Sequence, residues 1–153
     1  MTPEETLAKL GYALPPPTKP VAAYVPTART GNLVYVAGQL PFVDGKLPKT
    51  GRLGDDVTLE EGQAFARQCV LNALAAVKAE IGELSRVKRI VRVGAFVASA
   101  NEFTDQPKVA NGASELLQQV FGDAGRHARA AVGVNVLPLG APVEVELLVE
   151  VLP

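Results

Sequence analysis

Apolar positions recur along this chain with two different periods, and the switches between them mark out its elements. Leu33-Val34-Tyr35-Val36-Ala37 is a β-branched and aromatic run bounded by Gly31-Asn32 and Gly38, which predicts a strand. Val43-Asp44-Gly45-Lys46-Leu47 reads as a turn with short flanking strand. Thr58 then opens a helix, and Glu61, three residues on, completes a capping box. Phe65, Ala66, Cys69, Val70, Ala73, Leu74, Val77 and Ile81 follow at helical spacing, with Gly82 where a terminating glycine belongs. Val87 to Val97 is mostly β-branched and predicts a long strand centred on Ile90 to Ala98. A second helix follows Pro107, with Val109, Ala113, Leu116, Leu117, Val120 and Phe121 on one face and Gly122 at its end.

The last two strands, roughly 128–136 and 143–151, are joined by Leu137-Pro138-Leu139-Gly140-Ala141-Pro142. In the first, Val132, Val134 and Val136 share one face, and Arg129, Ala131, Gly133 and Asn135 share the other. In the second, Val143, Val145, Leu147, Val149 and Val151 oppose Glu144, Glu146 and Glu150. Such alternation places one face of the sheet on a core and leaves the other polar. Strands, helix, strand, helix and two strands together predict an α+β sandwich with both helices on one side of the sheet. The small and polar positions Ala131 and Gly133 suit a sheet face that approaches another subunit.

Composition narrows the class. At 153 residues the chain fits one domain, 1–153, with an extended N-terminal segment over residues 1–20 that carries Pro15-Pro16-Pro17 and Pro20. No stretch approaches the ~18–20 apolar residues that span a bilayer, and Glu4 and Glu5 stand where a secretory leader would be apolar. A cytoplasmic protein that does not enter a membrane is expected. The 16 acidic and 15 basic residues make no global field for nucleic acid, and the absence of Trp removes the best stacking platform. Arg86-Val87-Lys88-Arg89 with Arg92 reads as a solvated strand entrance or a trimer rim ahead of an RNA contact. Cys69 lies on the apolar stripe of the first helix and reads as core, not as a nucleophile. His127 is the sole histidine, so neither a zinc site nor any other metal or cofactor is expected. The glycines at 31, 38, 51 and 54 lack the spacing of a phosphate-binding loop and read as turns.

Ala23-Tyr24-Val25-Pro26 followed by Gly31 through Pro41, together with Arg129-Ala130-Ala131-Val132-Gly133-Val134, Leu137-Pro138 and Val143-Glu144-Val145-Glu146, resembles the paired signatures of the YjgF/RidA-like reactive-intermediate-deaminase family. The resemblance covers about residues 20–152. The segment from Phe103 through Gly125-Arg126-His127-Ala128-Arg129 looks like a branch of the family often labelled an L-PSP endoribonuclease of chorismate-mutase-like fold. It implies a homotrimer with ligand clefts between subunits and hydrolysis of 2-imino or enamine acids to 2-keto acids and ammonia. Arg129 matches the arginine that binds the substrate carboxylate, a role suited to the planar fork of a guanidinium. Glu144 matches a glutamate thought to place or activate water, Tyr24 a tyrosine near the cleft, and Gly38 a glycine whose backbone lines it. Ala37 and Ala131 stand where the deaminases commonly carry serine and cysteine, so polar contacts to substrate are lost there. A binding module without turnover and an RNA-cleaving enzyme are the other readings.

Each of these residues also has a structural reading. Arg129 would pair with Glu150 if the last two strands formed a hairpin, and Glu144 would be one of several carboxylates lining a wet oligomer axis. Tyr24 would be a packing residue with a solvated hydroxyl. His127 would sit on the face of Arg129, as an acid or base, a cap or an interface residue.

Overall fold

The computed structural model describes residues 1–17 and 22–153. They order as α1 (Pro3–Lys9), β1 (Thr27–Thr30), β2 (Leu33–Gln39), α2 (Leu59–Ile81), β3 (Val87–Ala98), α3 (Gln106–Phe121), β4 (Ala128–Val134) and β5 (Val143–Val151). The five strands form one sheet in the order β1-β2-β5-β3-β4, antiparallel throughout except for the parallel pair β3–β4. Helices α2 and α3 pack on each other and on one face of it, which is the expected α+β sandwich.

The local signals explain the elements. Thr58 Oγ1 accepts from the Glu61 amide at 3.1 Å while Glu61 Oε1 accepts from the Thr58 amide at 3.0 Å, so two otherwise unpaired donors at the start of α2 are satisfied. Asp44 and Gly45 both have positive φ, and Val43 and Lys46 exchange backbone hydrogen bonds across them, the two-residue turn that matches strand twist. The side chains of Val70, Leu74, Leu117, Val93, Val145 and Val149 are fully buried between helices and sheet. Each contributes about 1.5–3 kcal/mol of transfer free energy. Where α2 crosses α3, Gly112 lies so close to Gln63 that a Cβ would overlap the Gln63 carbonyl.

Three expectations are corrected. Residues 3–9 are helical, not extended: Thr2 and Glu5 form a second capping box and Leu7 is buried. Pro15, Pro16 and Pro17 do lie without helix along a groove beside Ala75 and Gly82, and Pro20 falls outside the described residues. The last two strands are not a hairpin, because β3 lies between them; the segment between β4 and β5 instead crosses the end of β3 and buries Leu137 and Ala141 against Ala98. Arg129 therefore does not meet Glu150, whose carboxylate is 3.8 Å from Lys88. The faces of β4 are also the reverse of what its valines suggest. Arg129, Ala131 and Gly133 pair in register with Val93, Ala95 and Val97, which are buried under the helices. Val132 is 45% exposed on the opposite side. As an edge strand, β4 reaches past the helix layer, so its apolar alternation does not follow the core.

Candidate functional site

On the helix side, the site is built by the start of β4 and the middle of α3. Arg129 Nη1 donates to Asn111 Oδ1 at 2.9 Å and to Ser114 Oγ at 3.1 Å. Ser114 Oγ lies 2.8 Å from His127 Nε2, and His127 Nδ1 lies 2.7 Å from the Gly125 carbonyl. No carboxylate pairs with Arg129 among the described residues, so the guanidinium is held by neutral groups at an exposed rim. Half-burial lowers the pKa of His127 most; the Gly125 carbonyl opposes this, and the Arg129 charge lowers it further. His127 does share the side of Arg129. With both ring nitrogens engaged, it is poorly placed to exchange protons with a ligand.

On the open face, away from α2 and α3, Glu144 is half-buried beside Gly38. A Cβ on Gly38 would come within 2.9 Å of the Glu144 carboxyl carbon, so glycine is what admits this side chain. Burial raises the Glu144 pKa, and neighbouring Glu146 raises it further. Glu146 itself accepts from Arg92 at 3.0 Å. The cluster at Arg86–Arg92 is thus mostly engaged at strand ends and with carboxylates. Arg86 donates to the Pro153 carbonyl, Arg89 to that of Arg126, and Lys88 pairs with Glu150.

The predicted residues therefore divide. Gly38 and Glu144 come together on the open face. Arg129, His127 and Ala131 lie on the helix side, where Ala131 packs partly against the core. Register puts Arg129 beside Val93, which on its other side pairs with Leu147, whereas Glu144 sits beside Phe96 with the opposite orientation. Two strand spacings and three residues separate them, roughly 14 Å between their Cα atoms. Within one copy they lie on opposite faces of the sheet. Tyr24 is 55% exposed in the segment before β1, and the Ala37 amide donates to the Pro26 carbonyl at 2.9 Å, which ties that segment to β2. Asn111 and Ser114 were not singled out from the sequence. Their signal was a serine within the apolar stripe of α3 and an asparagine one turn before it. Among the described residues, no three His, Cys, Asp or Glu side chains converge as a metal would require. Cys69 is buried in the core, and burial raises its thiol pKa well above the ordinary range, with Glu144 adding to it.

A family model described as "YjgF/chorismate mutase-like, putative endoribonuclease" matches residues 4–151. The protein TCP17 of Trypanosoma cruzi is 49% identical over 145 residues, 94% of this chain and 91% of its own. A 2-iminobutanoate/2-iminopropanoate deaminase of Dermatophagoides farinae is 31% identical, over 86% of this chain and 88% of its own. The crystal structure of the protein Atu1372, of unknown function, from Agrobacterium tumefaciens superposes with a TM-score of 0.92 at 46% identity, covering 98% of this chain and 94% of that one. The fold, the two signature segments and these likenesses lead to one statement: the chain belongs to the YjgF/RidA family.

Proposed function

We propose that this protein hydrolyses reactive 2-imino or enamine acids to 2-keto acids and ammonia, in a homotrimer whose clefts bring Arg129 of one copy to Glu144 of another. The observation that carries the reading is Arg129 itself: an exposed guanidinium tethered only by neutral acceptors keeps its charge for a ligand carboxylate. The 31%-identical relative named as an iminobutanoate deaminase supports the substrate class. The opposite faces of Arg129 and Glu144 support a site shared between copies. So do two exposed apolar side chains on the otherwise polar open face, Tyr35 at 51% and Val132 at 45%.

The chemistry needs no protein nucleophile. Water adds to the carbon of the protonated imine while the Glu144 carboxylate takes one of its protons, forming the new C–O bond, moving the C=N π pair onto nitrogen and leaving a neutral carbinolamine. Glu144 returns the proton to nitrogen, the C–N bond breaks with its electron pair leaving on ammonia, and the hydroxyl gives its proton back to the Glu144 carboxylate as the carbonyl forms. An enamine enters after protonation at carbon. Gly38 gives Glu144 room, and Tyr24 borders the cleft. Ala37 and Ala131 supply only shape where the deaminases commonly have polar side chains, which favours a larger or more apolar substrate side chain. It also favours, as a second reading, a carboxylate-binding module without turnover. Cleavage of RNA fits less well, because both nitrogens of His127 are committed to Ser114 and Gly125. The unpaired cysteine and the lack of a membrane-spanning helix among the described residues fit the cytoplasm, which cell fractionation would test.

The test is ammonia and keto-acid release from an imine generated in situ. Wild-type protein should accelerate it, and Arg129→Ala should lose about a hundredfold or more in kcat/KM. Unchanged hydrolysis in that variant would end the reading.

A further inference from the structure

A long side chain at the rim of an edge strand ordinarily samples many rotamers. Arg129 is instead tied twice to α3 through a single nitrogen. Nη1 carries two hydrogens, and Asn111 Oδ1 and Ser114 Oγ take both. Ser114 is only 6% exposed, and its hydroxyl lies between Arg129 and His127. The Gly125 carbonyl can only accept, so the ring proton of neutral His127 sits on Nδ1, and Nε2 accepts the Ser114 hydroxyl hydrogen. The Ser114 lone pairs are thereby turned toward Arg129. The donor order runs from Arg129 through Ser114 to His127, and from His127 to Gly125. What remains of the guanidinium is the Nε–Nη2 edge, two parallel donors that match the two oxygens of a carboxylate.

We propose that Asn111, Ser114 and His127 are positioning residues for Arg129, fixing its Nη1 group so that a substrate carboxylate is taken by the Nε–Nη2 edge, and that protonation of His127 is coupled to occupancy of that edge. This rests on the carboxylate-anchor reading above. The coupling has a definite sign. The Arg129 charge disfavours an imidazolium at His127, and a carboxylate seated on Arg129 offsets that charge. Binding therefore draws a proton toward His127, and by reciprocity carboxylate affinity rises as pH falls through the His127 titration. The other charges nearby are Arg126, loosely paired with Asp123 in the turn before β4, and Arg89 on β3, which reaches the Arg126 carbonyl. Arg92 on β3 is engaged by Glu146 on the open face. From α3 the ring meets neutral Ser114.

The experiment uses the intact protein and its sole histidine, whose imidazole nitrogen signals in a labelled sample need no assignment by mutation. Pyruvate serves as the carboxylate probe. The expected results are an Nδ1–H tautomer, a titration midpoint that moves up when pyruvate is added, and a smaller movement in Ser114→Ala at the same pyruvate concentration. Ser114→Ala and Asn111→Ala should each weaken pyruvate binding about three- to tenfold, the size of one hydrogen bond. If both variants bind pyruvate as wild type does while Arg129→Ala does not, the positioning inference is overturned and the anchor stands. If Arg129→Ala also binds normally, the anchor falls and the inference with it. Should Ser114→Ala fold poorly, Asn111→Ala decides the matter: pyruvate binding as in wild type overturns the positioning inference.

Discussion

The two sides of one sheet treat charge in opposite ways. On the helix side Arg129 is held by an amide and a hydroxyl and meets no carboxylate among the described residues. On the open side two carboxylates crowd together, Glu146 bound to Arg92 and Glu144 half-buried with its pKa pushed up. Neutral tethers leave a cation's field free for a ligand, whereas burial and a like charge make a carboxylate readier to accept a proton. One side is suited to holding an anion and the other to moving a proton. The sheet between them keeps Arg129 and Glu144 from cancelling each other within a copy.

The strongest way to break this comparison is to mix subunits. Arg129→Ala and Glu144→Gln should each be nearly inactive alone. Co-refolded at equal amounts, they should recover about a quarter of wild-type activity, since one random cleft in four then holds both intact residues. No recovery would mean that the two groups act from the same copy. A smaller effect is expected at Gly38. Gly38→Ala would push a methyl group against the Glu144 carboxyl and should cost about tenfold in kcat with pyruvate binding nearly unchanged. An equal loss in both would place Glu144 in binding, not proton transfer. The Glu146→Gln substitution should move the acid limb of the pH–rate profile to lower pH, because removing the neighbouring charge lets Glu144 ionise more easily. An unmoved limb would separate Glu144 from the rate. The smallest effect concerns stability. A carboxyl whose folded pKa is raised binds protons more tightly than in the unfolded chain, so stability falls as pH rises from the ordinary 4.5 through the raised value. At neutral pH Glu144→Gln should therefore raise Tm by about 2 °C while harming turnover, measured by calorimetry.

The helices and the buried strands were legible because their signals are local. Thr58 and Glu61 lie three residues apart, Asp44-Gly45 sets its own turn, and β5 alternates without a break because both neighbours keep it over the core. What failed was non-local. Nothing in residues 128–151 announces that β3 slips between β4 and β5, and with that one insertion the faces of β4 reverse. Arg129 and Glu144 were found through the family signature, and their opposite orientation could not be read before the register was known. Ser114 was hidden because a buried serine in an apolar stripe looks like tolerated packing until a donor is seen pointing at it. Residues 3–9 were misread because the prolines that follow them dominated the segment.

The edge position of β4 has a consequence for time scale. Its backbone is paired on one side only, to β3, so the strand that carries Arg129 has half the ladder of its neighbours. In an isolated copy, alternate β4 amides face solvent and exchange with deuterium readily, while those of β5 are locked on both sides. If neighbouring copies cover that edge, the same amides slow down together, and the rigidity of the carboxylate anchor becomes a property of the assembly.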